Sequence, residues 1–235
     1  PRLCRDWSSD VCSSDLNTQP AHIQHISSTQ PAHIQHISST QPAHIQHIQK
    51  ENLMIQLNFS PFPEMETKRL TLKKISDAHL DDLFELLGNP NVAAFDYFYP
   101  VEHIEKVNDF IHRYEDQRVN QSEITWGVCL KASGELIGTC CLGNFDEMAR
   151  RSEIGYAIKE KEWNKGYVTE ALNSVLAYGF NEIKLNRIEA TITPGNDASV
   201  RVLEKLNFKT EGLVREKDFI KGELVDGIRS EEHTS

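Results

Sequence analysis

The sequence predicts an α+β domain with its elements in the order β-α-α-β-β-β-α-β-α-β-β. Three observations carry that prediction. Lys68-Arg69-Leu70-Thr71-Leu72-Lys73 alternates polar and apolar residues, the period of a half-buried strand. Val168, Ala171, Leu172, Val175, Leu176 and Phe180 fall at i, i+3, i+4 spacing, the stripe of a helix that packs one face on a sheet. Between the short apolar run Ile154-Gly155-Tyr156-Ala157-Ile158 and that helix lies a glycine-bearing turn, Trp163-Asn164-Lys165-Gly166-Tyr167-Val168.

Each element follows from local chemistry. After the first strand, Asp77 can cap a helix whose apolar face is Leu80, Leu83, Phe84, Leu86 and Leu87, and Gly88-Asn89-Pro90 stops it. The aromatic run Phe95-Asp96-Tyr97-Phe98-Tyr99 is either a pocket wall or a cap over the first two helices. Pro100 can open the second helix, with Ile104, Val107, Phe110, Ile111 and Tyr114 at helical spacing. Glu123 to Leu130 and Leu136 to Leu142 read as a hairpin turning at Ala132-Ser133-Gly134-Glu135. Arg151 to Ile158 is the next strand and Arg187 to Ile192 another. Pro194-Gly195 breaks the chain before a short helix, Ala198 to Leu206. Lys209 to Ile220 is a strand bent around Gly212, and Leu224 to Ile228 begins a last strand.

The order strand, tight turn, helix aims several backbone N–H groups and a helix N-terminus at one place, where a phosphate or diphosphate is attracted. A Cβ at Gly166 would hinder close approach. The match extends beyond the turn. Glu153-Ile154-Gly155-Tyr156, then Trp163 to Ala171, then Asn196-Asp197-Ala198-Ser199 with Leu203-Glu204-Lys205-Leu206-Asn207-Phe208 occur in order. This combination resembles the GNAT superfamily of acyl-CoA-dependent N-acetyltransferases, closest to its ribosomal-protein-alanine branch, over about Glu66 to Ile228.

The resemblance implies the GNAT fold, a mixed and mostly antiparallel sheet with helices on both faces. It also implies that the strands Glu153–Ile158 and Arg187–Ile192 splay apart to admit the pantetheine arm of acetyl-CoA. Their ladder should then stop toward their C-terminal ends. The implied cofactor contacts are Tyr156, Ala157, Ile158, Asn164, Lys165, Gly166, Tyr167, Val168, Thr169, Asn196 and Ser199. The family motif often has Gln or Arg first and Gly or Ala last. Trp163 and Val168 stand there in this chain, and Val168 narrows the approach. Phe95 and Tyr97 fall where the family places its acceptor, and Gly155 leaves room for it. Alternation puts Glu153, Gly155 and Ala157 on one face of their strand, which makes Glu153 the candidate general base. Its other reading is an ion pair within the sheet, for example with Arg187. Ser199 is the candidate acid toward the leaving sulfur. Asn196 either contacts cofactor or, like Asp197, caps the helix.

The expected activity is acetyl transfer from acetyl-CoA to a primary amine, by resemblance a protein N-terminus such as that of a ribosomal protein. A small-molecule acceptor (aminoglycoside or polyamine) and a non-catalytic acyl-CoA-binding module are the alternatives. The chain of 235 residues carries a formal charge of −10, which argues against a general nucleic-acid binder and suits an amine-bearing partner. No apolar run approaches the roughly 20 residues that span a bilayer, and no signal-peptide core is present. A cytoplasmic monomer or homodimer without a metal is expected. Five cysteines, two of them adjacent, show no metal-ligand spacing and suggest reduced thiols.

The ends read as foreign to the domain. Asp10 to Leu16 can be encoded by a DNA stretch whose reverse complement encodes Arg229 to Ser235, and both resemble translated sequencing adapter. Residues 1–16 and 229–235 are accordingly set apart from a domain at 54–228, whose last strand the adapter reading cuts short. Residues 17–53 hold an 11-residue tandem repeat with His22, His25, His33, His36, His44 and His47. It admits three readings: paired-imidazole metal binding, short helical stripes broken by Pro20, Pro31 and Pro42, or upstream repeat DNA read in frame before Met54. The last is adopted, with the segment disordered.

Overall fold

The computed structural model describes Ile55 and residues 57–233. The histidine repeat, Met54 and the N-terminal stretch lie outside the described residues, as do Thr234 and Ser235.

One mixed sheet of eight strands runs in the spatial order β1-β2-β3-β4-β5-β6-β8-β7. The strands are β1 (Met65–Glu66), β2 (Leu70–Lys73), β3 (Glu123–Leu130), β4 (Leu136–Asp146), β5 (Arg151–Ile158), β6 (Arg187–Ile192), β7 (Lys209–Ile220) and β8 (Glu223–His233). Neighbours are antiparallel except β5 and β6. The helices are α1 (Leu80–Leu87), α2 (Pro90–Ala93), α3 (Val107–Val119), α4 (Tyr167–Tyr178) and α5 (Asp197–Lys205).

The two faces of the sheet bury two clusters. On one, α4 lays Ala171, Leu172, Val175 and Leu176 against Trp126, Leu142, Ile154 and Ile188. Trp126 is fully buried, and its Nε1 donates to Pro63 O at 2.7 Å, so the largest core side chain leaves no orphan donor. On the other, Leu83, Leu86 and Leu87 of α1 and Ile111 and Tyr114 of α3 pack over Leu136 and Ala157. Each buried Leu or Ile contributes about 1.5–3 kcal/mol relative to exposure. Alternation along β5 decides which cluster each residue joins. Ile154 and Tyr156 enter the first, Ala157 the second.

β5, β6 and β7 occupy the spans the pattern predicts. Other boundaries move for identifiable reasons. Ser76 rather than Asp77 is the cap, opening a 3₁₀ turn at Asp77–His79 that runs into α1. Pro100 does not open a helix. Val101 N–H donates instead to Leu87 O at the end of α1, and the chain stays extended until a 3₁₀ turn at Ile104–Lys106. The stop at Gly88 carries its own helix, because the Asn89 side chain accepts from Asn91 and Val92 N–H and caps α2. β8 does not end at Ile228. Residues 229–233 continue it, pairing with β6 from Arg229↔Thr191 to His233↔Arg187. Backbone ladders need no particular side chains, and the β6 edge from Arg187 to Thr191 takes 229–233 as its partner. The bend at Gly212 appears as a register shift between Thr210 and Gly212.

Among the described residues no helix is long and apolar enough to cross a membrane. Cys129, Cys140 and Cys141 are buried thiols, and burial raises the pKa of Cys140 well above its ordinary value.

Candidate active site

β5 and β6 share only three parallel registers, Arg151↔Arg187, Ser152↔Ile188 and Glu153↔Glu189. Beyond these they part. β5 stays paired with β4 as far as Ile158↔Gly138, and β6 with β8 as far as Ile192↔Ile228. A V-shaped crevice opens between them with Glu153 and Glu189 at its apex. The inner edge of β5 from Ile154 to Ile158 has no ladder with β6 and is left to bond something else.

The apex is held by charge. Glu189 is 7% exposed and accepts from Arg187 Nε at 2.7 Å and Arg151 Nη1 at 3.2 Å. Arg187 also reaches Glu211 on β7 and Glu231 on β8. One guanidinium thereby ties together β6, β7 and β8. At the far end, Lys159 is all but buried and its ammonium meets Asp82, Glu85 and Glu135 at 2.7, 2.7 and 3.1 Å. Burial would lower the Lys159 pKa, but its hydrogen bonds to these three carboxylates outweigh that and raise it. This acidic trio therefore already holds a cation of the chain.

The turn after β5 forms the second wall. Asn164 and Gly166 are both left-handed, with φ of 61° and 77°. The backbone coils tightly and enters α4 without a side-chain cap. Glu170 N–H, on Gly166 O at 3.2 Å, is the first to find a partner one helical turn back. The N–H groups of Tyr167, Val168 and Thr169 precede it, as at any helix start. The turn is strapped from outside by Arg69. Its Nε meets Glu170 Oε2 at 2.6 Å, its Nη1 donates to Lys165 O at 3.0 Å, and its guanidinium lies 4.3 Å over the Tyr167 ring. Thr67 Oγ1 and Arg69 N–H both donate to the other Glu170 oxygen. The Trp163 indole donates to Ile158 O at 2.9 Å, closing the turn onto the end of β5. Lys165 bonds Glu162 at 3.0 Å.

Glu153 is half-buried, and Asn144 Nδ2 donates to its Oε1 at 3.0 Å. Gly155 is buried two residues further on. Asn196 spends its side-chain oxygen on Ser199 N–H at 3.2 Å, the cap of α5, which leaves its NH₂ available. Ser199 is 6% exposed in the first turn of α5. The Tyr156 hydroxyl is buried with no hydrogen-bond partner among the described residues. Burial pushes the phenol above its ordinary pKa, so it stays protonated. An unpaired buried hydroxyl costs about 1–3 kcal/mol.

Phe95 touches the open end. Its carbonyl accepts from Thr193 Oγ1 at 3.2 Å, and its ring edge lies 3.8 Å from where a Cβ on Gly195 would stand. Tyr97 is half-buried beside it, with its N–H on Asp96 Oδ1 at 2.8 Å. Tyr99 Oη donates to Lys221 O and the Lys221 ammonium to Ala93 O, so the β7–β8 turn touches the α2 segment.

The turn residues and Ile158 thus meet at one end of β5, through the Trp163 indole on Ile158 O, and Glu153 marks the apex. Phe95 joins the segment after β6. Arg69, Asn144 and Glu189 were missed by sequence reasoning. Arg69 acts from just before β2, Asn144 from β4 and Glu189 from β6, and nothing in their local sequence marked them.

Comparison with known proteins bears on this arrangement. Residues 69–209 match the family described as Acetyltransferase (GNAT) domain. The chain is 34% identical over 160 residues to the uncharacterized N-acetyltransferase p20 of Bacillus licheniformis, covering 68% of this chain and 90% of that protein. It is 32% identical over 98 residues to the [ribosomal protein uS5]-alanine N-acetyltransferase of Escherichia coli, covering 40% of this chain and 49% of the relative. A GNAT-family acetyltransferase structure from Bacillus anthracis superposes with a TM-score of 0.65 at 26% identity, covering 73% of this chain and 98% of the other.

Proposed function

The chain belongs to the GNAT family and is an acetyl-CoA-dependent N-acetyltransferase, and from that premise we propose that its acceptor is the free N-terminal amine of a protein, of the ribosomal-protein class. The observation that carries the site assignment is the early end of the β5–β6 ladder after Glu153↔Glu189. An unpaired strand edge beside an uncapped helix start fits a long amide-bearing arm ending in a diphosphate. The acceptor class draws support from the stretch shared with the uS5-alanine enzyme.

Bound acetyl-CoA supplies an activated thioester. In this reading the N–H groups from Asn164 to Thr169 hold its diphosphate, helped by the α4 dipole. The free edge of Tyr156, Ala157 and Ile158 and the Asn196 NH₂ hold the arm. An edge N–H near Ile154–Tyr156 stabilises the negative charge that develops on the carbonyl oxygen. Glu153, directly or through water, accepts the proton the amine loses as its nitrogen bonds the acetyl carbon. Ser199 donates a hydrogen bond to the sulfur as the C–S bond breaks and the thiolate departs. Phe95 and Tyr97 wall the acceptor side, and Gly155 leaves room there. An α-amino group, with a pKa near ~8, asks less of the base than a lysine near ~10.4.

The test is thiol release from acetyl-CoA across a panel of amines. The panel contains peptides with free and with blocked N-termini, a polyamine and an aminoglycoside. The highest kcat/KM is expected for the free N-terminal peptides, and blocking should abolish it. A higher kcat/KM for the polyamine or the aminoglycoside overturns the acceptor assignment.

A further inference from the structure

The crevice offers acetyl-CoA two surfaces, the open edge of β5 and the turn before α4, and one hydrogen bond joins them. Lys159 N–H donates to Ile137 O at 2.8 Å, so Gly138↔Ile158 beside it is a non-hydrogen-bonded pair. Alternation then turns the backbone groups of Ile158 and Tyr156 away from β4 and into the crevice. One of these groups is already taken. The Trp163 indole, which can only donate, holds Ile158 O at 2.9 Å. Among the described residues, the edge keeps Tyr156 N–H, Tyr156 O and Ile158 N–H for a ligand. The Trp163 side chain is 41% exposed and stands outside both core clusters, whereas Trp126 is fully buried, so core packing does not account for it. Its backbone is fixed separately, with its N–H on Glu160 O at 3.1 Å.

We infer that Trp163 is a positioning residue that sets the spacing between the turn and the open edge of β5, so that the diphosphate and the arm of one acetyl-CoA are met in register. The inference rests on the reading that the turn holds the diphosphate and the edge holds the arm. The edge needs no help from the indole, because β4 pairs with β5 as far as Ile158. The turn stands outside the sheet. Arg69 Nη1 on Lys165 O ties it outward, and the indole ties it to β5. Asn164 and Gly166 are left-handed directly after Trp163, so a displacement at Trp163 passes into the N–H groups that follow. Without the tie, the turn samples positions that binding must narrow, and that ordering costs affinity. Trp163 touches no reacting atom and transfers no proton.

Trp163→Phe keeps an aromatic ring and removes the N–H. Calorimetric titration with CoA should show Kd raised about five-fold, the worth of one net hydrogen bond. Acetyl-pantetheine, which has the arm but no diphosphate, should keep its kcat/KM within about two-fold, because the edge it binds has not moved. The melting temperature of the unliganded variant should fall by no more than about 4 °C, as for one exposed hydrogen bond. A loss for acetyl-pantetheine equal to that for CoA, or a larger fall in Tm, would identify general support of the β5 end and overturn the inference. An unchanged Kd for CoA overturns it as well. The wild-type protein tests the reading beneath. If it uses acetyl-pantetheine as readily as acetyl-CoA, the turn holds no diphosphate and both fall. A wild-type preference for acetyl-CoA that survives Trp163→Phe undiminished removes the inference alone.

Discussion

The two ends of β5 are the same strand in opposite situations. From Arg151 to Glu153 it has a ladder on each side, with β4 and with β6. From Ile154 to Ile158 it keeps β4 alone. The closed end is fastened by Glu189 between Arg151 and Arg187. The open end is fastened only from behind and beyond, by the Trp163 indole on Ile158 O and by Lys159 in its carboxylate nest. A sheet can surrender part of one ladder without unravelling, provided the strand has a complete partner on the other side and anchors at both ends. Binding capacity is created by the hydrogen bonds the fold leaves unmade.

That contrast can be broken at several points. The largest effect is expected where the two ends meet. Glu153→Gln should lower kcat/KM for the amine about 100-fold, the lower range of general-base contributions. Steady-state kinetics with a free N-terminal peptide checks this, and a loss below about three-fold would remove Glu153 from proton transfer.

The side that stays paired is next. A Cβ on Gly138 would stand 2.4 Å from Ala157 O, backbone against backbone. Gly138→Ala should therefore destabilise by about 1–3 kcal/mol, as overpacking does. Urea unfolding measures it, and the acetyl-CoA affinity should fall too, because the free edge of β5 shifts with the strand.

The far anchor gives a pH signature. Glu85 lies below its usual carboxylate pKa because of hydrogen bonds from Lys159 and Lys161, and Glu135 because of Lys161 and Lys159. Depressed native pKa values stabilise above the ordinary carboxylate range, near ~4.5, and that contribution is lost as pH falls through the lowered values. Melting temperature should drop on acidification in this window, and Lys159→Met should flatten the drop. At neutral pH the same variant should lose about 1–3 kcal/mol, less than a fully buried pair because the carboxylates are partly exposed. An unchanged acid limb would dissociate these carboxylates from the anchor.

The smallest effect belongs to the strap. Arg69→Ala frees the Lys165 carbonyl and the Tyr167 ring while leaving every crevice group in place. KM for acetyl-CoA should rise about three- to ten-fold with kcat nearly unchanged, the mark of uniform binding. A kcat loss without a KM change would mean the turn acts on chemistry rather than on binding.

Much of the fold was legible because its signals are local. Period-two alternation marked β2, a short apolar run marked β5, and the i, i+3, i+4 stripe gave α4. The parting of β5 and β6 was foreseen only through the resemblance, since nothing within either strand announces where a partner stops. The misplaced helix start at Pro100 has a related cause. Proline permits a first turn, but Val101 N–H is claimed by Leu87 O, a residue of the preceding helix. At the candidate site, the turn itself, with Gly166 left-handed ahead of α4, was readable from the sequence. Arg69 on Lys165 O and Asn144 on Glu153 were not, because each joins residues whose proximity the sheet creates.

The place of β8 has a temporal consequence. β6 leaves the ribosome before β7, yet its antiparallel neighbour is β8, made later still. Until then β6 has only three registers with β5 to hold it. The strands from β3 to β5 can collapse early on sequential hairpins, whereas the second wall of the crevice waits for a long-range closure, the slow kind. A nascent chain interrupted before Glu223 would therefore display the turn after β5 facing an unfinished wall, with β6 still lacking its antiparallel neighbour.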